Sequence, residues 1–341
     1  MNVSIIIPTL NESAYLPRLL RALKEQRLPP QEVIVADAGS TDNTVAIAQE
    51  WGARVVAGGL PAVGRNAGAR HAGGEYLLFL DADVVPGPFF LERTLAEMEA
   101  RRLDVATTLY QPLEEEPLYA LLTELANLYL LIMAPISPHA SGFCIFIRRS
   151  LHEQIGGFDE SLVMSEDHDY VRRAARWGRF GVLRQERLKV SMRRLEKEGL
   201  IGLGLKYLWC EIHVLAGRPI HTIPFRYEFG AFSAQAQQRM MDEAYALSRR
   251  FLRLENPLFA LSQRAQEIVR ELVEEEQPER LLERLRDVFT LEELGALQRY
   301  VQRRLMMMLH PRFWRRRWPA LSHRLRRPFR ELKTFWKRFS S

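Results

Sequence analysis

The sequence predicts an α/β protein with a mixed, mostly parallel sheet and a C-terminal helical appendage. Apolar, β-rich runs alternate with segments of helical periodicity over about the first 85 residues. Polar loops, often with glycine or proline, separate these segments. Because this alternation needs crossover connections, it favours a Rossmann-like parallel sheet. From about residue 234 glycine almost vanishes and charged helical patterns dominate, which predicts the appendage.

The elements follow from these patterns in order. Strands are predicted at 3–8, 32–36, 54–57 and 75–80, with helices at 15–23, 42–51 and 61–72 between them. The chain then continues with a helix at 89–102, a strand at 104–109, a helical stretch at 111–139, a strand at 143–147, a helix at 170–177, one or two strands within 180–190 and a basic loop at 191–194.

The most informative strand is the fourth, because two carboxylates follow it. Asp81 and Asp83 come directly after an uninterrupted apolar run. Residues two apart on a strand share a face, so both side chains are expected on one side. Carboxylate oxygens at that position suit Mg²⁺ or Mn²⁺. The alternative for an isolated Asp-x-Asp is a strand end with two solvated aspartates.

The first two strands also end in polar loops. The candidate binding residues there are Thr9, Asn11, Glu12, Asp37, Gly39 and Ser40. Since the carboxyl ends of parallel strands share one edge, these loops are expected beside Asp81 and Asp83, where open α/β sheets bind ligands. Each loop alone could be only a turn and a helix cap. The sequence contains neither GxGxxG nor GxxxxGK[ST], which argues against an ordinary dinucleotide or P-loop site.

Composition indicates a cytoplasmic protein. Cys144 and Cys210 are the only cysteines, and they form no CxxC motif. The N-terminus resembles a first strand and not a signal peptide. No window has the 18 or so uncharged apolar residues that a transmembrane helix needs. We therefore expect a protein without a transmembrane helix that associates peripherally with the membrane.

The membrane expectation rests on the C-terminal tail. Residues 303–341 contain thirteen Lys/Arg and one acid, a charge of +12, so the other 302 residues carry −6 of the chain's +6. Seven Phe and Trp residues are interleaved with these charges. This composition suits an anionic membrane surface. A solvated tail is the second interpretation and nucleic-acid binding the third, so no nucleic-acid partner is expected.

The composition shift divides the chain into two predicted domains. Residues 1–225 would form the α/β domain, with a first half at 1–110 and a second half at 111–225. Residues 226–341 would form the helical region that ends in the basic, aromatic tail.

Several segments together resemble family 2 glycosyltransferases, which have the GT-A fold. They are residues 3–12 (VSIIIPTLNE), 35–44 (VADAGSTDNT), 64–69 (GRNAGA), 79–83 (FLDAD), 156–160 (GGFDE) and 165–169 (SEDHD). Their order and spacing match the family over about 190 residues, and the resemblance covers residues 1 to about 215. The resemblance implies that residues 1–110 form a donor-binding half and residues 111–225 an acceptor half.

The resemblance implies a role for each candidate residue. Asp37 would accept hydrogen bonds from the nucleobase of a UDP- or GDP-sugar, beside Thr9, Asn11, Glu12, Gly39 and Ser40. Arg65 would hold the nucleotide, since a guanidinium suits a phosphate or a base edge. Asp83 would bind the divalent cation, Mg²⁺ or Mn²⁺, and Asp81 would contact ribose or share the metal. Arg193 and Arg194 would contact the diphosphate or a lipid phosphate.

The resemblance also implies a reaction. Asp167 would be the general base for the acceptor, inverting the anomeric carbon, and Glu166 would position the acceptor or the base. The acceptor would be a hydroxyl or phosphate of a glycan or a lipid-linked molecule at the cytoplasmic membrane face. The alternatives are a nucleotidyltransferase on a similar fold and a non-catalytic membrane-bound scaffold.

Overall fold

The structure is a computed structural model that describes residues 2–135, 137–198, 203, 206–207, 210, 213–214 and 219–223. The predicted domain boundary at 225, the helical region at 226–341 and the basic tail at 303–341 lie outside these residues. No helix in the described part of the chain is long and apolar enough to cross a membrane.

Eight strands and eight helices make up the regular structure of the described residues. In chain order they are β1 (Val3–Thr9), α1 (Leu16–Lys24), β2 (Glu32–Asp37), α2 (Thr44–Glu50), β3 (Arg54–Ala57), α3 (Pro61–Arg70), β4 (Tyr76–Leu80), β5 (Val84–Val85), α4 (Phe90–Ala100), β6 (Val105–Pro112), α5 (Pro117–Met133), β7 (Cys144–Arg148), α6 (Arg149–Gln154), α7 (Glu166–Ala174), β8 (Phe180–Val190) and α8 (Arg193–Glu198).

The strands form one mixed sheet in the order β3-β2-β1-β4-β7-β6-β8-β5. Strands β1, β2, β3 and β4 pair in parallel, and β6 pairs in parallel with β8. Strand β7 is antiparallel to both of its neighbours, β4 and β6. The predicted mixed, mostly parallel α/β sheet is therefore confirmed.

The central strands are apolar because helices cover both of their faces. All five residues of β4 are buried, as are six of the seven residues of β1. Such continuous apolar runs are typical of strands enclosed on both sides. Helix α3 approaches β1 closely, since a Cβ at Gly68 would lie 2.3 Å from the Cγ2 atom of Ile6. This close approach brings Arg65 and Asn66 of α3 towards the carboxyl edge of the sheet.

The antiparallel strand β7 fixes where the site residues meet. Its first residue, Cys144, pairs with Leu80, the last residue of β4. The loop before β7 therefore runs beside the residues that follow β4, and the backbone N–H of Asp81 donates to the carbonyl of Phe143 at 3.3 Å. The second half of the chain thus meets the first half at the end of β4.

Two local predictions are wrong. Residues 111–139 are not one helical stretch, because β6 continues to Pro112 beside β8 and α5 begins only at Pro117. Residues 193 and 194 do not lie in a loop, since they open helix α8. The sequence pattern missed the end of β6 and the short helix α8, because pairing and packing with distant segments determine both.

Candidate functional site

The loops after β1, β2 and β4 lie together at the carboxyl edge of the sheet, as the parallel pairing requires. Thr9, the last residue of β1, pairs with Asp37, the last residue of β2. The segment with Asp81 and Asp83 follows β4, which pairs with the other side of β1. This edge is where ligands bind in open α/β sheets.

Asp37 organises the loop that follows β2. Its Oδ1 accepts from the hydroxyls of Ser40 at 2.5 Å and Thr9 at 3.1 Å. Its Oδ2 accepts from the backbone N–H groups of Gly39 at 3.0 Å and Ser40 at 2.8 Å. Gly39 has a φ of +88°, which a side chain would strain. The carboxylate therefore holds Gly39 and Ser40 in a fixed turn beside Thr9.

Asn11 joins the loop after β1 to the same turn. Its backbone N–H donates to the Ser40 hydroxyl at 2.8 Å, and its side-chain Oδ1 accepts from the Thr41 N–H at 2.8 Å. Asn11 has a φ of 54°, a left-handed conformation that asparagine tolerates better than most residues. The two loops consequently form one rigid surface.

Arg193 bridges Glu12 and Asp83. Its Nη1 and Nη2 atoms each lie 2.8 Å from an oxygen of Glu12, and its Nε lies 2.6 Å from Oδ2 of Asp83. The guanidinium also lies over the ring of Tyr15, 4.3 Å from its centroid. Burial raises the pKa values of Glu12 and Asp83, and the cation opposes that rise.

Arg65 makes a second bridge from helix α3. Its Nη1 donates to Glu166 at 2.7 Å, while its Nη2 donates to Asp81 and to the carbonyl of Gly142, both at 3.1 Å. The side chain is 3% exposed. Arg65 therefore connects the carboxylate of Asp81 to the acid-rich start of helix α7.

The two aspartates after β4 thus have different partners. Asp81 pairs with Arg65, and Asp83 pairs with Arg193. They lie in the turn between β4 and β5, beyond the regular strand. Strand alternation consequently does not decide the direction of their side chains.

Asp167 lies at the first turn of α7, next to Glu166. Its Oδ1 accepts from the backbone N–H of His168 at 2.8 Å, and the Gly142 N–H also bonds to the carboxylate. Burial raises the pKa values of both acids; Asp167 raises that of Glu166 further, and Arg65 lowers both. Ser165, at the start of the helix, has a φ of 59°.

Arg194 follows Arg193 in α8. Its charge lies close enough to Asp83 to lower the pKa of that carboxyl, against the larger effect of burial. Of the predicted site residues, the structure therefore groups Arg193 and Arg194 with Glu12 and Asp83, and Arg65 with Asp81, Glu166 and Asp167.

Three further residues contribute to the site. A Cβ at Gly142 would lie 2.8 Å from Nη2 of Arg65 and 3.1 Å from Oδ2 of Asp167. Asn66 exchanges hydrogen bonds with the backbone of Phe158, and Glu114 accepts from the N–H of Met192 at 3.0 Å. In the sequence Gly142 is only a glycine before a strand, whereas Asn66 follows Arg65 within the segment 64–69 and could have been found there.

The carboxylates of Asp81, Asp83 and Glu12 supply hard oxygen donors of the kind that Mg²⁺ and Mn²⁺ prefer. Within the described residues, no group of three or more His, Cys, Asp or Glu side chains is arranged to hold a metal ion. The guanidinium of Arg193 lies at Oδ2 of Asp83, with its Nε atom 2.6 Å from that oxygen. The donor chemistry of these carboxylates therefore suits a divalent cation.

Comparison with known proteins gives one family and several relatives. Residues 4–156 match the family model described as glycosyl transferase family 2. The chain is 38% identical over 104 residues to validoxylamine A glucosyltransferase of Streptomyces hygroscopicus subsp. limoneus, covering 28% of this chain and 23% of that protein. It is 35% identical over 124 residues to undecaprenyl-phosphate 4-deoxy-4-formamido-L-arabinose transferase of Sodalis glossinidius, covering 32% and 37%.

A third relative also has solved structures. The chain is 34% identical over 93 residues to poly(ribitol-phosphate) beta-N-acetylglucosaminyltransferase TarS of Staphylococcus aureus strain Mu50, covering 24% of this chain and 16% of that protein. The crystal structure of S. aureus TarS 1-349 in complex with UDP-GlcNAc has a TM-score of 0.47 and 25% identity, covering 57% of this chain and 59% of that one.

The family match concerns the first part of the chain, residues 4–156. The chain spans about a quarter of the length of the validoxylamine glucosyltransferase and about a third of that of the arabinose transferase. The family match contains the segments 35–44, 64–69 and 79–83 completely and nearly all of 3–12, and it agrees with the GT-A fold that they imply. Residues 4–156 of this chain belong to glycosyl transferase family 2.

Proposed function

We propose that this chain is an inverting glycosyltransferase that moves a sugar from a nucleotide-diphosphate-sugar to a hydroxyl or phosphate acceptor. One observation carries the proposal. Arg65 joins Asp81, beside the predicted nucleotide-binding loops, to Glu166, beside the predicted base Asp167. The groups needed to hold a donor and to activate an acceptor therefore share one edge of the sheet.

The turn at Asp37 is the proposed nucleotide surface. The carboxylate holds Gly39 and Ser40 in place, and Asn11 fixes the neighbouring loop. A preformed surface loses little conformational entropy when a planar base binds. The base of a UDP- or GDP-sugar would hydrogen-bond at Asp37, beside Thr9.

A divalent cation, Mg²⁺ or Mn²⁺, would be held by Asp83, with Asp81 contacting it or the ribose. When bound, it would neutralise the charge that develops on the diphosphate leaving group. Arg193 and Arg194 add positive charge at the same place, so the protein itself supplies part of the stabilisation.

Asp167 is the proposed general base. The acceptor hydroxyl gives its proton to this carboxylate as its oxygen attacks the anomeric carbon. The bond from that carbon to the diphosphate breaks on the opposite side, which inverts the configuration. Burial favours the neutral form of Asp167, so the carboxylate becomes a stronger base than an exposed aspartate. Glu166, held by Arg65, positions this base.

The acceptor and the location are proposed from the relatives and the tail. The matched proteins are named as transferases to a small molecule, to poly(ribitol-phosphate) and to undecaprenyl phosphate. A glycan or lipid-linked acceptor fits this set. The +12 tail at 303–341 would hold the enzyme at an anionic cytoplasmic membrane surface, where a lipid-linked acceptor is available.

Titration calorimetry with UDP, GDP and dTDP, each with Mn²⁺, tests the donor site. We expect one nucleotide to bind and the binding to weaken without the cation. The Asp83→Ala variant should lose this cation dependence, while Asp167→Asn should bind the nucleotide normally. Absence of binding for all three nucleotides in the presence of Mn²⁺ would refute the proposal.

A further inference from the structure

Arg193 is held where the proposed cation and diphosphate would bind. Its guanidinium makes three hydrogen bonds to two carboxylates, two to Glu12 and one to Asp83. Such bidentate, charge-assisted contacts are among the stronger hydrogen bonds in proteins. Asp83 therefore already has a cation on one of its two oxygens.

The backbone around Arg193 is fixed independently of that side chain. The N–H of Ser191 donates to the carbonyl of Asp83 at 3.1 Å. Glu114 accepts from the Ser191 hydroxyl and from the Met192 N–H, both at 3.0 Å. The backbone just before Arg193 is therefore held by its own hydrogen bonds, and the Arg193 side chain can move without displacing it.

The two bridging arginines, Arg65 and Arg193, differ in how readily they could release their carboxylate partners. Arg65 is 3% exposed and also donates to a backbone carbonyl, whereas Arg193 is 17% exposed and donates to the carboxylates of Glu12 and Asp83. A more exposed guanidinium loses less when it exchanges one anion for another. Arg193 is therefore the one suited to change partners.

We propose that Arg193 occupies Asp83 in the empty protein and releases it to a divalent cation only when the donor's diphosphate offers a replacement anion. This inference rests on the proposed function. It makes cation and nucleotide binding mutually dependent, through the arginine as well as through direct contact between the metal and the phosphates.

The charges around Arg193 explain why cation and nucleotide binding would depend on each other. Glu12 and Asp83 with Arg193 carry a net charge of −1, assuming that both acids are ionised. A divalent cation that takes Oδ2 of Asp83 without a diphosphate must displace the guanidinium and leave it poorly compensated in a partly buried place. A diphosphate removes that penalty because its oxygens accept a guanidinium bidentately. By linkage, each ligand then raises the affinity for the other by the same factor.

The first experiment measures Mn²⁺ binding by electron paramagnetic resonance, with and without saturating UDP. In the unmodified protein we expect Mn²⁺ alone to bind at least tenfold more weakly than Mn²⁺ with UDP. Arg193→Lys keeps the charge but loses the fork that grips Glu12 and Asp83 together. It should bind Mn²⁺ alone several-fold more tightly than the unmodified protein. The control Arg149→Lys, a change of a half-buried residue at the opposite edge of the sheet, should not.

The second experiment observes the arginine directly. In a ¹⁵N-labelled protein the Nε–H signal of Arg193 is identified by its absence in Arg193→Lys. We expect Mg²⁺ alone to leave that signal unchanged and Mg²⁺ with UDP to shift it. A signal that stays unchanged with both ligands bound, or that moves equally with Mg²⁺ alone, overturns the inference and leaves the proposed function intact. Failure of UDP to bind at all overturns both.

Discussion

Arg65 and Glu166 form a 2.7 Å ion pair although 101 positions separate them in the chain. The pair joins helix α3, next to the predicted nucleotide-binding loops, to helix α7, which carries the proposed base. Since Arg65 also contacts Asp81, a single buried guanidinium sets the distance between the two halves of the site. The site is therefore organised by its arginines as much as by its acids.

Replacing Arg65 by Met should strongly destabilise the protein. The change leaves the buried Glu166 without its cation, and breaking a buried ion pair from one side costs about 3–5 kcal/mol. The matched control is Arg70→Met on the same helix, whose side chain is 63% exposed and lies 3.8 Å from Glu160. That change should cost less than about 1 kcal/mol. Urea denaturation of both variants measures the difference, and equal midpoints would contradict the structural role given to Arg65.

The sequence was sufficient to predict which acids gather at the sheet edge. Asp37 ends one strand, and Asp81 and Asp83 follow another; these strands pair as expected, and the carboxyl ends of parallel strands share an edge. This inference needs only local periodicity and one topological rule. The fold class and the gathering of these acids at one sheet edge could therefore be predicted together.

The partners of these acids could not be predicted. Arg193 meets Glu12 across 181 positions, and their contact depends on how β8 and α8 pack against the first loop. The contacts of Arg65 with Asp81, Glu166 and the Gly142 carbonyl were not predicted either, whereas its predicted contact with a nucleotide stays a prediction. Side-chain pairing of this kind depends on tertiary approach to within an ångström, which residue patterns do not encode.

Gly142 should tolerate no side chain. An alanine Cβ would lie within 3.1 Å of both Arg65 and Asp167, and both side chains are fixed by other contacts. We expect Gly142→Ala to reduce stability by about 1–3 kcal/mol and turnover by about tenfold to a hundredfold, since the base would be displaced.

The control for Gly142→Ala is Gly87→Ala. A Cβ at Gly87 would be 3.7 Å from Oε2 of Glu186, an ordinary contact distance. Its activity and melting temperature should match those of the unmodified protein. If both alanine variants had the same activity in a glycosyl transfer assay, the close packing of Gly142 against Arg65 and Asp167 would not be needed for activity.

Asp167→Asn should abolish turnover but preserve donor binding. An amide cannot take the acceptor's proton, and losing a general base costs about 10²–10⁴-fold in rate. Asp169→Asn is the matched control, because Asp169 pairs with Arg173 on its own helix at 2.7 Å. It should retain nearly full activity. Equal rates for Asp167→Asn and the unmodified enzyme would assign the base elsewhere.

The pH profile tests the same residue independently. Burial raises the pKa of Asp167 above its ordinary value. A base works only when deprotonated, so activity should fall as the pH drops through this raised pKa. The acid limb of kcat/KM should therefore lie at higher pH than for an exposed aspartate. A profile flat down to about pH 4, where an ordinary aspartate titrates, would contradict this assignment.

His152 should make the fold sensitive to acid. Its Nδ1 lies 2.6 Å from the hydroxyl of Tyr170, and burial, with a smaller effect of Arg173, lowers the pKa of His152 to about 4. In the unfolded chain histidine titrates near pH 6.5, so between these values the unfolded state binds more protons. The free energy of unfolding should then decrease as the pH falls from about 6.5 to about 4.

The variant His152→Phe isolates this contribution. The ring should pack near Phe79 and Phe158, which already lie within 6.5 Å of the imidazole between ring centroids. Its unfolding free energy at pH 7 should be lower by about 1–3 kcal/mol, because Tyr170 loses its hydrogen-bond partner. The difference from the unmodified protein should narrow as the pH falls to 4, since the variant has no imidazole to protonate. Urea titrations at pH 7, 5.5 and 4 measure it, and a difference that stays constant would show that His152 takes up its proton equally in both states.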